Sequence, residues 1–297
     1  MTMGDGRRGW LAVFVVVLAC TLPAVRAVAP IERASTLQPQ IELALQEVGL
    51  VGAVWATVDS DGAIRTGAAG LSNAATGKAM TPDNKVHVGS VAKSLIATGV
   101  LQLVSAGRVD LDAPVSRYLP TLKFANRWPD EPVRVRHLLD HTAGLDDMRL
   151  WQLFSSQPTP DTPLLAAFTR DSSVLTIRSR PGSRFSYSNM SYTVAAMVIE
   201  SVTHERYEAW LDRELLRPLA MRDSTFAFTT QKGPAADPRL AWGHLDRTTP
   251  APALPVYLRP AGQFTTTAHD LALFAKFLMG DGRVDGRTIV MPELLRT

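Results

Sequence analysis

Ser90-Val91-Ala92-Lys93 stands between a short β-like stretch and an almost unbroken apolar run from Leu95 to Val104, and no other feature constrains the fold as tightly. The preceding Val86-His87-Val88-Gly89 reads as a strand closing on glycine. The run behind it reads as a buried helix whose first turn holds Ser90 and whose end is marked by Gly107. Residues three apart share a helix face, so the Lys93 amine comes within reach of the Ser90 hydroxyl one turn below. A serine hydroxyl is a weak nucleophile until a touching base activates it. Near a helix N-terminus it also lies beside backbone N–H groups that lack an intrahelical partner and can help to stabilise an oxyanion. With 18 serines and six lysines among 297 residues, chance supplies about 0.4 such spacings per chain. The surroundings therefore decide between a nucleophile with its activating lysine and a helix cap beside a surface lysine.

The apolar content of 46% is enough for one large domain or two intimately joined ones around a buried core. Residues 1–27 are set apart as a signal peptide: Arg7 and Arg8 precede an apolar run over 10–25, and small residues allow cleavage after Ala27. A twin-arginine route through Arg7-Arg8-Gly9-Trp10-Leu11, a lipid anchor at Cys20 and an uncleaved anchor are the variants. The expected location is periplasmic or secreted, with the membrane involved only through that segment. Cys20 is the single cysteine, so a chain cut after Ala27 has no disulfide and no thiol nucleophile. Removing Arg7, Arg8, Arg26 and Asp5 lowers the formal charge from +3 to +1, which gives no electrostatic case for nucleic acid.

Along the remaining chain, residues 37–48 have helical spacing, and two strands at 52–58 and 63–69 flank the turn Asp59-Ser60-Asp61-Gly62. Further helices are expected at 135–139, 164–169, 192–202, 207–216 and 268–279, and an extended loop region near the site over 234–262. Tyr187-Ser188-Asn189 puts a phenol and a carboxamide two apart, on one side of an extended segment just before a helix. A phenol near a lysine ammonium suits proton exchange with a serine, and an amide beside it can hold a carbonyl and orient the lysine. Asn189 as a plain helix cap is the alternative. His137 and His141 have the i, i+4 spacing of a metal pair, but no carboxylate set completes a site, so no metal is expected. Trp128, Trp151, Trp210 and Trp242 are expected in the core or along a cleft wall, with Trp151 and Trp242 in loops that could border it.

Over residues 37–297 the sequence resembles the serine β-lactamase-related hydrolases of the class C type, which include β-lactamases, penicillin-binding D-peptidases and esterases. The resemblance rests on an ordered set: Gly89-Ser90-Val91-Ala92-Lys93, Gly107-Arg108-Val109-Asp110-Leu111-Asp112-Ala113-Pro114-Val115, Val135 to Leu145 with His141-Thr142-Ala143-Gly144, Tyr187-Ser188-Asn189, Arg217-Pro218-Leu219-Ala220-Met221 and Pro260-Ala261-Gly262-Gln263-Phe264. Tyr187-Ser188-Asn189 in place of a Ser-Asp-Asn points to the class C branch. The resemblance implies an α/β (α+β) β-lactamase/transpeptidase-like fold over 28–297, an antiparallel sheet with flanking helices joined to a mostly helical subdomain at about 91–260. It implies Ser90 as acylated nucleophile, Lys93 as its activating partner, Tyr187 as general base or acid, and Asn189 as substrate and lysine contact. No cofactor is implied, and the expected partner is a small molecule or peptide with a reactive carbonyl, acted on by a monomer.

One departure qualifies these expectations. The family carries a third motif, Lys-Thr-Gly or His-x-Gly, on a sheet strand followed by further strands. The last residues here, Met291 to Thr297, resemble the stretch before it. His87-Val88-Gly89 leads into Ser90 and stands in the wrong place. The sequence is therefore expected to be a fragment or a truncated relative lacking the C-terminal strands, with little activity as written. A non-catalytic penicillin- or peptidoglycan-binding relative is the competing expectation.

Overall fold

The hairpin expected at 52–69 is the framework on which an early and a late helix of the described residues meet. A computed structural model describes residues 30–296, with side chains from residue 37 onward; the expected signal peptide at 1–27 lies outside the described residues. Helix α1 (Pro30–Val48) precedes strands β1 (Gly52–Val58) and β2 (Ile64–Asn73), which pair antiparallel from Val58↔Ile64 to Gly52↔Gly70. Gly62, at φ +81°, takes the left-handed turn position that a Cβ would strain, and Asp59 N–H donates to Ala63 O at 2.9 Å. The short β3 (Lys78–Ala79) extends the sheet in the order β1-β2-β3. Gln38 pins α1 to it, donating to Ala68 O at 2.8 Å and accepting from Trp55 Nε1 at 3.1 Å.

Strand β4 (Val86–His87) leads through a single 3₁₀ turn, Gly89–Val91, into α2 (Ala92–Ser105). A largely helical region follows, with α3 (Val135–Leu139), α4 (Leu150–Leu153), α5 (Ala166–Thr169), α6 (Asn189–Thr203) and α7 (Tyr207–Leu211). The chain then returns through β5 (Gly243–His244), β6 (Pro250–Ala251) and β7 (Thr265–Thr266) to α8 (Ala268–Met279), and on to the hairpin β8 (Arg283–Val284) and β9 (Arg287–Thr288). β7 pairs antiparallel with β4, placing residues 259–266 beside the start of α2. Both α1 and α8 pack against the β1–β2 hairpin.

The core centres on α2 against α6. Leu95, Ile96, Val100 and Leu103 from the first and Val194, Ala195, Val198 and Ile199 from the second are all essentially inaccessible to water. Burying each of the larger side chains contributes about 1.5–3 kcal/mol. This packing makes α2 a rigid post for the residues at its N-terminus.

Several bounds differ from the sequence expectation: α1 begins at Pro30 instead of 37, β2 runs to Asn73 instead of 69, and α5 begins at Ala166 instead of 164. Three further differences concern the elements around the site. Ser90 lies in the 3₁₀ turn ahead of α2 and not in its first α-turn, because Gly89 adopts φ +53° and tightens the entry. Helix α6 begins three residues before the expected 192, because the Ser188 side chain caps it by accepting from Ser191 N–H at 3.2 Å. Expected helix 207–216 is α-helical only through Leu211 and continues as a π turn over Asp212–Leu216. There Asp212 turns aside to accept from Thr225 Oγ1 at 2.5 Å and from Phe226 N–H at 2.9 Å.

Candidate active site

Ser90, Lys93, Tyr187 and Asn189, separated by up to about a hundred residues in sequence, converge at the N-terminus of α2. Lys93 Nζ donates to Ser90 Oγ at 3.0 Å, to Asn189 Oδ1 at 2.8 Å and to Ala261 O at 2.6 Å. Tyr187 Oη stands 2.7 Å from Ser90 Oγ. Lys93 is only 5% exposed, and burying an ammonium is costly unless all three of its N–H groups find acceptors. Here they do, and the same three bonds fix Nζ against the serine. The rings of Tyr187 and Tyr192 lie 5.1 and 5.9 Å from Nζ. Tyr192 donates to Leu139 O at 2.7 Å, and burial pushes its hydroxyl pKa up to about 12, so it stays a neutral donor. The hydroxyl of Ser90 is exposed to the surroundings from which a carbonyl would approach.

Tyr187 and Asn189 are placed by a loop that sequence inspection assigned no part in the site. Ser186 N–H donates to His141 O at 2.7 Å, Ser188 N–H to His141 Nδ1 at 3.1 Å, and Ser188 Oγ to Asp146 O at 2.7 Å. Asp147 Oδ1 accepts from both Asn189 N–H at 2.9 Å and Asn189 Nδ2 at 2.7 Å. The whole 186–189 segment thus docks on residues 141–147. His141 holds φ +59°, an uncommon backbone for a residue with a Cβ, and its ring lies 4.5 Å from that of Tyr187. Gly144, at φ +75°, is fixed by space as well: a Cβ there would come 2.2 Å from Ser179 O. The sequence signal for this loop was present in His141-Thr142-Ala143-Gly144, but its meaning depends on contacts more than forty residues away.

Because Ser188 N–H donates to His141 Nδ1, that nitrogen carries no proton, and the ring is the neutral Nε2–H tautomer. Burial, followed by the positive charge of Lys93, lowers the His141 pKa below the usual imidazole value, while Asp140 and Asp147 oppose the shift. In NMR titrations, His141 is expected to titrate below an ordinary exposed imidazole. Lys93→Met is expected to move its midpoint upward, because removing a nearby cation favours the imidazolium. The midpoint still stays below that of a solvent-exposed histidine, since burial is the larger cause. A midpoint unchanged or lowered in Lys93→Met would contradict this electrostatic coupling.

The Ala261 carbonyl reaches Lys93 because the turn Arg259–Ala261 is anchored from beneath. Arg259 Nε pairs with Glu208 Oε1 at 2.6 Å, with side chains 4% and 6% exposed, and Arg259 Nη1 donates to Thr162 O at 2.6 Å. The expected loop region at 234–262 therefore includes a buried ionic anchor as well as part of the site wall. Beside Ser90 lies a cleft of about 390 Å³, walled by Met148, Leu153, Phe228, Leu254, Val256 and Leu258. His87, Asn189 and Gln263 also line it, so its lining carries polar groups and one imidazole but no ionised carboxylate, ammonium or guanidinium. Burial lowers the His87 pKa, favouring the uncharged ring. Trp151 lies on α4 with its ring 5.3 Å from that of Tyr257, and Trp242 lies beneath Lys232; neither faces this cleft.

His137 Nδ1 accepts from Arg134 N–H at 3.2 Å, and His141 Nδ1 is taken by Ser188, so the two are engaged separately. Among the described residues, no group of three or more His, Cys, Asp or Glu side chains is placed to hold a metal ion. Also among the described residues, no helix is long and apolar enough to cross a membrane.

Comparison with known proteins bears on this arrangement. The chain is 34% identical to esterase EstB of Burkholderia gladioli over 204 residues, 65% of this chain and 51% of that protein. It is 30% identical over 238 residues to penicillin-binding protein 4 of Amycolatopsis lactamdurans, 78% of this chain and 60% of that one. The octameric penicillin-binding protein homologue from Pyrococcus abyssi superposes with a TM-score of 0.72 at 26% identity, over 89% of this chain and 59% of that chain. The chain thus spans between about half and three fifths of the length of these relatives. The architecture is the expected β-lactamase/transpeptidase-like one, with antiparallel strands and flanking helices. A family model described as beta-lactamase matches residues 37–295, nearly the whole described span, and the chain belongs to that family.

Proposed function

We propose that this protein is a serine hydrolase of the class C type that cleaves an ester, amide or lactam through an acyl-serine at Ser90. The observation that carries the proposal is the triple bond set of Lys93 together with the 2.7 Å contact between Ser90 Oγ and Tyr187 Oη. With all three N–H groups of Lys93 donated, the group left to take the Ser90 proton is Tyr187 Oη, acting as the phenolate. As Ser90 Oγ forms its bond to the substrate carbonyl carbon and the carbonyl π pair moves onto its oxygen, the proton passes to that phenolate. The Lys93 charge stabilises the negative charge on that oxygen pair. Collapse of the tetrahedral adduct breaks the bond to the leaving group, which takes the proton from Tyr187. Water then repeats the sequence on the serine ester, releasing the acid and restoring the hydroxyl.

The uncharged, largely apolar wall beside Ser90 fits a neutral acyl portion. The esterase and penicillin-binding relatives support an acyl-transfer reading of the same machinery. Residues 1–27 act as a signal peptide in this proposal, placing a monomer in the periplasm or outside the cell. N-terminal sequencing of the mature protein and its mass in solution test those two statements, and an octamer would overturn the second.

The direct experiment is covalent labelling with a fluorescent penicillin and with a fluorophosphonate, followed by peptide mapping and a chase. Label is expected on Ser90 and absent in Ser90→Ala, with the penicilloyl label lost over time as the ester hydrolyses. Label persisting without loss would make the protein an acyl-binding relative, and label in Ser90→Ala would remove the nucleophile assignment.

A further inference from the structure

We propose that Asp147 is a positioning residue for the reaction at Ser90, acting through Asn189 by fixing which end of its carboxamide faces Lys93. The inference rests on the covalent reading of Ser90 given above. A carboxamide has two ends of nearly the same shape and opposite hydrogen-bonding character. Lys93 Nζ is a donor only, so it is held by Asn189 Oδ1 and would be repelled by Nδ2. Lys93 thus selects the oxygen end with one of its three N–H groups, the other two being given to Ser90 Oγ and Ala261 O. The matching selection of the nitrogen end is made on the other side. There the Asp147 carboxylate, an acceptor with no proton to give, takes Nδ2 at 2.7 Å, with Met148 Sδ a weaker acceptor at 3.7 Å.

The same Oδ1 accepts Asn189 N–H at 2.9 Å, an amide in the first turn of the 15-residue α6 that has no partner within the helix. A carboxylate at that helix end is favoured by the exposed N–H groups, so Asp147 is held where it can grip the side chain. The preceding residue is anchored as well. Asp146 takes Ser188 Oγ on its carbonyl, and its carboxylate pairs with Arg149 and Arg178 at 3.3 and 3.2 Å. The result is one chain of directed bonds running Asp147, Asn189, Lys93, Ser90, in which the first member sets the polarity of the rest.

The test uses the full chain and a neutral alkyl fluorophosphonate, whose phosphorus bonds to Ser90 Oγ as fluoride leaves, with the second-order labelling rate as readout. Asp147→Asn keeps the size but presents either an oxygen or an NH₂ to Asn189. It is expected to slow labelling at least about tenfold while leaving the thermal midpoint within a few degrees. Asp147→Ser retains an oxygen for the Asn189 N–H, but a hydroxyl both accepts and donates and so does not select Nδ2 over Oδ1, and it is expected to be as slow. The discriminating measurement is Asp147→Asn in an Asn189→Ala background, where it should change the rate by less than about twofold, because its effect passes through the missing amide.

A rate within twofold of wild type for Asp147→Asn and for Asp147→Ser overturns the proposal. So does a full tenfold loss persisting in the Asn189→Ala background, which would mark a structural role. Label retained in Ser90→Ala, or none on the wild-type chain, overturns the covalent reading and this inference with it. Normal Ser90 labelling with insensitive Asp147 variants removes this inference alone.

Discussion

Lys93→Met is expected to slow acylation of Ser90 by a factor on the order of 10² to 10⁴, the range that a positioned proton-transfer partner contributes. Methionine nearly matches the lysine stem in volume and cannot donate, so the substitution removes the bonds to Ser90 Oγ, Asn189 Oδ1 and Ala261 O together. Two effects should separate. The labelling rate falls because no positive charge faces the Ser90–Tyr187 oxygen pair. Stability falls too, since carbonyls that lose a buried donor cost about 1–3 kcal/mol each, partly offset by the relief of burying an ammonium. Stopped-flow labelling measures the first and urea unfolding the second. Lys93→Arg is expected to be nearly as slow despite its charge, because a planar guanidinium cannot direct three N–H groups to three acceptors converging on one point. Labelling of Lys93→Met at a wild-type rate would remove Lys93 from the chemistry, whatever its place in the fold.

What could be read from the sequence was local, and what could not was relational. The hairpin was legible because Asp59-Ser60-Asp61-Gly62 names its turn and the flanking residues are mostly small or β-branched, Trp55 and Arg65 apart; strand β1 spans the expected 52–58. Helix α8 was legible from its apolar period, and its bounds match the expected 268–279; the structure adds Thr267, whose side chain accepts from Asp270 N–H, as its cap. Ser90 and Lys93 were legible as a pair because they stand three positions apart in sequence. Even there the connection is a 3₁₀ turn, set by the positive φ of Gly89.

The start of α6 was misplaced because Ser188 and Asn189 are both good caps. Only the tertiary structure shows that Ser188 caps while Asn189 is drawn to Lys93 and Asp147. Asp147, His141 and the Ala261 carbonyl were invisible as members of the site. Nothing in an isolated Asp, a turn histidine or an alanine signals that its partner lies 42, 47 or 168 residues away. Asp212 is a similar case: a helical pattern predicts 207–216 as one element, and the long-range grip on Thr225 and Phe226 is what converts its second half into a π turn.

Glu208→Gln is expected to destabilise the protein by about 3–5 kcal/mol, more than any exposed ion pair in the chain would cost, because it leaves a buried guanidinium without its counter-charge. Arg259 and Glu208 are 4% and 6% exposed and meet at 2.6 Å, whereas pairs such as Arg136 with Asp112 lie with about half of each side chain in water, where screening leaves little. The pair also has a functional consequence, since Arg259 and Ala261 share one turn and the Ala261 carbonyl is the shortest of the three contacts to Lys93. Loosening the anchor should therefore lower the labelling rate at Ser90 under conditions where the chain is still folded. Arg259→Met should cost a similar amount by leaving Glu208 with only the more exposed Arg206, 3.2 Å away. Combining Arg259→Met with Glu208→Leu should cost much less than the two single losses added, because no unpaired charge remains buried. Urea unfolding of the singles and the double measures the coupling directly. Single variants that each cost less than about 1 kcal/mol, or a double that costs their full sum, would show that the turn is held by packing and that the ion pair contributes nothing to placing Ala261.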